Sequence, residues 1–300
     1  MLALRTRLIP FIPLIFVLLW STGFIGAKYG LPYIEPFNML FIRMLLTLAV
    51  FMVLMALFKS KWPTGRQGLH QLVSGSLVHA AYLGGVFAAI KWDMPAGVVA
   101  IVVGLQPLLT ALIGRIWFKQ SLAKVQLLGL VLGLVGVSMV LVGGKEMGEL
   151  TLRPEAIAAA IIALLGISIG TLYQKRFGTG VDLMAGSFFQ YLATAFWMGL
   201  LAFSMETREV VWSFDLIMAL GWLVFGLSVS AVLLLMYMIR EGESARVASY
   251  FYLVPPVTVV EAWLLFDEAL GVLALLGIFI TVLGVYLVLK SPKVILRPDV

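Results

Sequence analysis

Runs of about twenty apolar residues, separated by short polar connections, recur along the whole chain. A helix needs about 20 mostly apolar residues to span a bilayer. Ten such runs can be drawn: roughly Leu8–Ala27, Pro36–Phe58, Gly68–Ile90, Pro95–Phe118, Ala123–Val142, Pro154–Tyr173, Leu183–Phe203, Phe214–Ile239, Ala245–Phe266 and Leu270–Leu289. What remains between them is too short for a soluble domain. The pattern predicts an all-α integral membrane protein with ten transmembrane helices.

The pattern also repeats. Ala96–Leu141 aligns without gaps on Ser244–Leu289, matching Val99 with Val247, Ala100 with Ala248, Leu105 with Leu253, Pro107 with Pro255, Thr110 with Thr258 and Phe118 with Phe266. The register holds through Leu122/Leu270, Gly129/Gly277 and Gly136/Gly284. Apolar composition alone produces scattered Leu and Val coincidences, not a matched Pro, Thr and two Gly in one frame, so this is an internal repeat. A one-residue shift extends it upstream, pairing Gly23 with Gly170, Lys28 with Lys175, Phe41 with Phe188, Leu45 with Leu192 and Thr47 with Thr194. The chain thus divides into two five-helix halves, residues 1–148 and 149–300, forming one transmembrane unit. Five is odd, so the second half must cross the membrane with opposite polarity. Inverted repeats of this kind mark many secondary transporters, whose substrate site lies near the midplane where the halves meet. Pro107 and Pro255 are then expected to face each other across a pseudo-twofold axis in the membrane plane.

Composition agrees with a bilayer: 62% of the residues are hydrophobic and 12% charged, against about a quarter charged in soluble domains. A net charge of +6 would suggest nucleic acid if gathered in one patch, but the basic residues fall in short clusters between apolar runs, the pattern of membrane orientation. One set of connections collects Arg5, Arg7, Lys59, Lys61, Arg66, Arg115, Lys119, Lys124, Lys175, Arg176, Arg240, Arg246, Lys290, Lys293 and Arg297, fifteen in all. The opposite set has five, Lys28, Lys91, Lys145, Arg153 and Arg208, and Arg43 lies inside a helix. This bias places both termini in the cytoplasm of a multi-pass protein of the inner (plasma) membrane. Arg5 and Arg7 ahead of an apolar run, with small residues near Gly26, imitate a secretory leader. The run has its own counterpart later in the chain and is read as the first span. With no Cys there is no thiol nucleophile or thiolate metal site, and two His residues, His70 and His79, are too few for a histidine metal cluster. No metal, cofactor or nucleic-acid partner is expected; the partners are a small-molecule substrate and lipid.

Some residues carry a family likeness: Trp20-Ser21 in the first helix, Pro36 followed by Phe41-Ile42-Arg43 in the second, Pro107 in the fourth, Pro255 in the ninth, and the ending Leu265-Phe266-Asp267-Glu268. In this order, with the five-plus-five duplication, the chain resembles a ten-helix EamA-type member of the drug/metabolite transporter superfamily. The resemblance implies export or exchange of small metabolites, commonly amino acids and their relatives, without a covalent cofactor. Two features depart from the family pattern: Lys119-Gln120 stands where an acidic residue usually follows the fourth helix, and Glu261 is not part of the pattern.

Ionisable and polar groups inside a membrane are costly, so each is a functional candidate. Arg43 lies about 7 residues into the second helix, on the order of 10 Å from its outer end, and Glu261 lies at a similar depth in the ninth. The two either pair or share an aqueous cavity, with Glu261 a candidate for proton coupling. The plainer alternatives are a snorkelling or capping Arg43 and a Glu261 that faces headgroup water. Tyr250, Val254, Thr258 and Glu261 fall at spacings of four, four and three, on one helical face. Shorter polar stripes are Gln106 and Thr110; Ser76, His79 and Tyr82; and Trp20 and Ser21. All are candidate cavity lining, with interhelical hydrogen bonding as the alternative. His79 is the one midmembrane group whose unperturbed pKa lies near neutrality, and it is a second coupling candidate. Pro107 and the Pro255-Pro256 pair are expected mid-helix, as hinges beside the substrate or as static kinks. Gly129 and Gly133 form a small-xxx-small run that fits either a homodimer face or packing within the fold, and a monomer is equally compatible with it. Trp62, Trp92, Trp212 and Tyr33 are read as interfacial anchors.

The function expected is secondary active transport of small metabolites by alternating access. An integral-membrane enzyme is the alternative from another class. It calls for ionisable residues clustered at one interface, whereas Glu206, Glu209, Asp215, Asp267 and Glu268 lie scattered in ordinary connections.

Overall fold

The computed structural model describes residues 11–92, 94, 99, 102–118, 122–143, 153–241, 244–266 and 271–290. The expectations for Arg5, Arg7, Lys119-Gln120, Lys145, Asp267-Glu268, Lys293 and Arg297 fall outside these residues. In chain order the helices are α1 (Ile12–Gly30), α2 (Pro36–Phe58), α3 (Gly65–Lys91), α4 (Gln106–Phe118), α5 (Lys124–Gly143), α6 (Pro154–Phe177), α7 (Leu183–Met205), α8 (Phe214–Glu241), α9 (Ser244–Tyr250), α10 (Val254–Phe266) and α11 (Val272–Lys290). Six of them, α2, α3, α6, α7, α8 and α11, are long and apolar enough to cross a membrane. Among the described residues the only strand pairing is one isolated antiparallel bridge, Ile34 to Val210.

Local chemistry sets the helix starts. Pro36 occupies the first turn of α2 after an extended Glu35, where its missing N–H costs nothing. Thr64 and Gln67 cap each other at the start of α3, so this helix begins at Gly65, three residues before the apolar run. Asp182 accepts from the amides of Met184 and Ala185 at the head of α7, and Ser213 accepts from Leu216 at the head of α8.

Two long helices contain wide π turns, Ser76–Ala81 in α3 and Leu223–Ala231 in α8. They occupy corresponding places in the two halves of the sequence. The fourth and ninth apolar runs are also interrupted at matching places. The first breaks at Leu105, where the amide of Leu105 turns back to Val102 at 3.1 Å; the second breaks at the 3-10 turn Phe251–Leu253. Each break is followed by a proline, whose ring opposes the carbonyl four residues upstream. Pro107, Pro255 and Pro256 therefore stand at the head of α4 and α10 rather than in mid-helix as expected.

Packing ties the early and late helices together. α1 lies against α8 and α10, and α6 lies against α3 and α4. α2 packs on α7, α4 on α9, and α5 on α11. The tightest seam is α5 with α11. A Cβ added at Gly136 would lie 2.7 Å from the Gly277 carbonyl oxygen, and one at Gly277 would lie 2.7 Å from that of Gly136. Gly129 and Gly284 meet reciprocally at 2.6 and 2.7 Å. These crossed pairs make the two helices antiparallel and engage Gly129 inside the fold, the packing alternative raised for that glycine. Gly133 packs on the Tyr252 ring.

Polarity is distributed inside out. Large apolar side chains such as Phe196 (65%), Phe225 (60%) and Phe279 (68%) are exposed on the bundle surface, while Gln71, Ser168, Ser187, Gln190 and Thr194 are buried. In water the first group would be an aggregation surface. Against lipid it is the expected face.

Candidate functional site

Among the described residues two adjoining chambers lie beside α1 and α3, apart from a more open groove of about 500 Å³ between α3, α6 and α7. The larger, about 320 Å³, is enclosed by side chains of α1, α2, α3, α7 and α8, with Leu31 from the loop after α1. Its polar wall is Arg43, His79, Tyr82 and Tyr191; the rest is apolar, including Met39, Leu40, Phe87, Leu223 and Leu227. The smaller chamber, about 130 Å³, is lined by Gln106, Pro107, Phe251, Tyr252 and Pro255 among others. Trp20, Tyr82, Val86 and Ile90 line both and form the partition between them.

Arg43 is 8% exposed, so it does not snorkel to the bundle surface. Its Nε donates to Ser228 Oγ at 2.8 Å, and the Ser228 carbonyl accepts the Tyr191 hydroxyl at 2.9 Å. The Tyr191 ring stacks on His79 at 5.1 Å and on Phe51 at 5.7 Å. The guanidinium is thus braced by neutral groups from α7 and α8. His79 Nε2 is buried without a hydrogen-bond partner.

Arg43 and Glu261 form no ion pair, which corrects the direct pairing raised above. α2 turns Arg43 toward α8, whereas α10 packs on α1 and brings Glu261 Oε1 to 2.8 Å from the Ser21 hydroxyl. That hydroxyl is also 2.9 Å from the Leu18 carbonyl, and the Thr258 hydroxyl donates to the Ser21 carbonyl at 3.4 Å. Ser21, Thr258 and Glu261 thus join α1 to α10 rather than line either chamber, the interhelical-bonding alternative. Glu261 Oε2 is buried and unpartnered.

Other predicted stripes are divided by the same geometry. Tyr250 precedes the 3-10 turn, whose tighter winding separates it from the face of Thr258 and Glu261. It is half-buried and lines neither chamber. The π turn separates Ser76 from His79 and Tyr82: Ser76 accepts the Trp197 indole N–H at 3.0 Å on another side of α3, beside a groove between α3, α6 and α7. Gln106 Nε2 and Thr110 Oγ1 are buried and unpartnered, and Gln106 lines the smaller chamber. Pro107 and Pro255 both line that chamber. Pro256 is buried but lines neither chamber.

The comparisons with known proteins bear on this architecture. The profile of the EamA-like transporter family matches twice, over residues 8–142 and 155–290. The chain belongs to the EamA-like transporter family. Relatives include YvbV of Bacillus subtilis, named an uncharacterized transporter, 27% identical over 92% of this chain and 90% of its own length. YedA of Escherichia coli, named an uncharacterized inner membrane transporter, is 27% identical over 94% and 91%. A Salmonella typhimurium protein named "Probable amino-acid metabolite efflux pump" is 24% identical over 92% and 93%. A solved crystal structure superposes with a TM-score of 0.75, covering 93% of this chain and 98% of that one at 20% identity, a likeness of fold. The chain is therefore a multi-pass transporter of the drug/metabolite type, as the sequence motifs implied.

Within this EamA fold, several polar residues escaped the sequence reading. Gln190 Nε2 donates to Gln71 Oε1 at 2.7 Å and to Gln174 Oε1 at 3.2 Å. The three amides border a pocket of about 10 Å³, scarcely the size of one water. In the register that pairs Phe41 with Phe188 and Leu45 with Leu192, Gln190 falls opposite Arg43. The same register pairs Glu35 with Asp182. Ser228 and Tyr191, which hold Arg43, were also missed. Gln71, Gln190 and Ser228 lie within apolar runs, and that signal is available in the sequence; Gln174 follows its run and abuts Lys175-Arg176, so it reads as part of a polar connection. Among the described residues no three of His, Asp or Glu are grouped to hold a metal.

Beyond the chambers, one end of the bundle is tied by carboxylates. Glu206 accepts from the amides of Phe37 and Asn38 at 2.9 and 2.7 Å and lies 3.4 Å from Lys91 Nζ. Glu35 accepts from the Thr207 amide at 2.6 Å, its hydroxyl at 2.8 Å and the Arg208 amide at 3.1 Å. Partial burial pushes the Glu35 carboxyl up, but these bonds, the Thr207 hydroxyl foremost, and the Lys91 charge hold it below the usual range.

Proposed function

We propose that the protein is a secondary active transporter moving small metabolites, amino acids or related compounds, out of the cell across the inner membrane by alternating access. Its ten spans form two inverted halves, residues 1–148 and 149–300, with both termini cytoplasmic. α9 and α10 together make one span, and α4 with the helical residues before Leu105 makes another. The observation that carries this reading is the recurrence of one architecture at matched positions: a π turn in α3 and α8, a break before Pro107 and Pro255, and reciprocal glycine contacts between α5 and α11. The packing α1 on α8 and α10 becomes α6 on α3 and α4 when the halves are exchanged. Two halves that can adopt each other's conformation give access to a central site from either side in turn. The two family matches and the efflux name of one relative support the same reading.

Candidate substrate contacts are Trp20, His79, Tyr82 and Gln106. Glu261, with an unpaired oxygen at the α1–α10 seam, and His79 are the proposed coupling groups. The decisive experiment is reconstitution of the purified protein in vesicles under an imposed pH gradient, with a panel of labelled amino acids and related metabolites. Accumulation of at least one above protein-free vesicles is expected, and uniform equality with those vesicles overturns the reading. Glu261→Gln should flatten the pH profile of transport; an unaltered profile removes Glu261 from coupling.

A further inference from the structure

The larger chamber holds a cation and no anion. Arg43 lines it, braced through Nε by Ser228, and none of the described residues lining it is an Asp or Glu. No ion pair to Arg43 forms among the described residues; Glu206 is engaged by Lys91 and the α2 amides, and Glu261 by Ser21. An unpaired buried charge is expensive, and in a membrane protein such a group marks a substrate or ion pathway. The guanidinium presents a planar fork of donors matched to a carboxylate. With Nε committed to Ser228, the remainder of that fork is available to the chamber that Arg43 lines.

The rest of the wall defines the other end of the ligand. Met39, Leu40, Leu83, Phe87, Leu223 and Leu227 provide an apolar surface, and the volume, about 320 Å³, lies at the small end of known ligand pockets. A zwitterion would bring an ammonium group for which this wall offers no carboxylate, so among the small metabolites proposed above the chamber selects amino-acid relatives that lack the amine. The position that the sequence register pairs with it, Gln190, is neutral and hydrogen-bonds to Gln71 and Gln174, so the charge belongs to this chamber and is not shared by its counterpart.

We infer that the chamber binds an apolar monocarboxylate, with Arg43 holding the carboxylate and the apolar wall holding the body. The inference rests on the transporter reading for the meaning of binding but not for its occurrence.

The test uses the full-length purified protein and a panel from pivalate to 3-phenylpropionate and indole-3-acetate, each beside its amide, with phenethylamine and phenylalanine as cationic and zwitterionic controls. At least one acid should raise the melting temperature and bind at least about tenfold tighter than its amide. Arg43→Gln should remove that preference without lowering the melting temperature of the free protein, because it removes an unpaired charge. Arg43→Lys should keep part of it, as a point charge without the fork. The inference is overturned if every acid fails to bind the wild type, if acid and amide bind alike, or if the Arg43→Gln protein keeps the acid preference. Vesicle assays separate the two readings. Transport of neutral or cationic solutes with no acid binding leaves the transporter reading standing and sinks this one. Arg43-dependent acid binding without movement of any solute does the reverse.

Discussion

Arg43 and Gln190 occupy equivalent places in the two halves, yet one borders a chamber of about 320 Å³ and the other a pocket of about 10 Å³. Both lie in apolar helices of like length, α2 and α7, that pack on each other. Gln190 donates to two glutamine carbonyls and joins three helices, although its own Oε1 and the Gln71 Nε2 stay unpartnered. Arg43 meets one serine hydroxyl and is otherwise held among aromatic and apolar walls. In one sequence register, then, one position borders an open, charged chamber and the other a polar joint between helices. Glu35 and Asp182 show the same division. Asp182 caps its own helix, whereas Glu35 reaches across to the loop before α8 and ties two connections together.

Replacing both members of the first pair by leucine is the strongest way to break this comparison. Gln190→Leu leaves the carbonyls of Gln71 and Gln174 buried without donors and should cost about 2–4 kcal/mol, read as a fall in melting temperature. Arg43→Leu should stay within about 1 kcal/mol of the wild type, since the lost Ser228 bond is offset by removal of an unpaired charge. Equal losses at the two positions would dissolve the distinction between site and joint.

The seam offers the converse case, where matched positions should behave alike. Gly136→Ala and Gly277→Ala each push a methyl against a partner's backbone. The strain is expected to exceed the gain in helix propensity and to leave a net loss of about 1–2 kcal/mol. The two losses should agree within about 0.5 kcal/mol in parallel melts. A marked inequality would mean that the halves do not meet on a common axis.

A smaller effect is expected from Glu35→Gln, below about 1 kcal/mol for a group largely open to solvent. Because the folded carboxyl is held low, its contribution is fully present above the unfolded value near ~4.3. It fades as pH falls through the lower folded value. The difference in melting temperature between wild type and Glu35→Gln should therefore be seen at neutral pH and close in acid. Asp182→Asn should weaken the head of α7 alone, without loosening the connection at Val210.

Much of the architecture was legible in the order of apolar and polar residues. Every apolar run in the described residues became helix, most within a few residues of the expected bounds, because a bilayer leaves the backbone no other internal partner. Boundary errors have local causes, as at α3, where the Thr64–Gln67 capping box extends the helix past the apolar run. The candidate site was only half legible. His79, Tyr82, Trp20 and Arg43 share a chamber as polar residues in apolar helices are expected to do. Ser21, Thr258 and Glu261 proved to join α1 to α10, because a helical period says which residues share a face but not what that face meets.

The sequence by itself determined the membrane class, the family and the small set of polar residues that a bilayer would not tolerate without purpose. Tertiary structure decided their partners. π turns and proline breaks displaced residues from the faces that a uniform helical period assigns, turning Ser76 away from His79 and Tyr250 away from Thr258. Arg43 was left beside Ser228 without a carboxylate because α2 packs toward α7 and α8 while Glu261 faces α1. Period and composition are one-dimensional, whereas the neutralisation of a buried charge depends on which helices pack together, and that is settled only when they do.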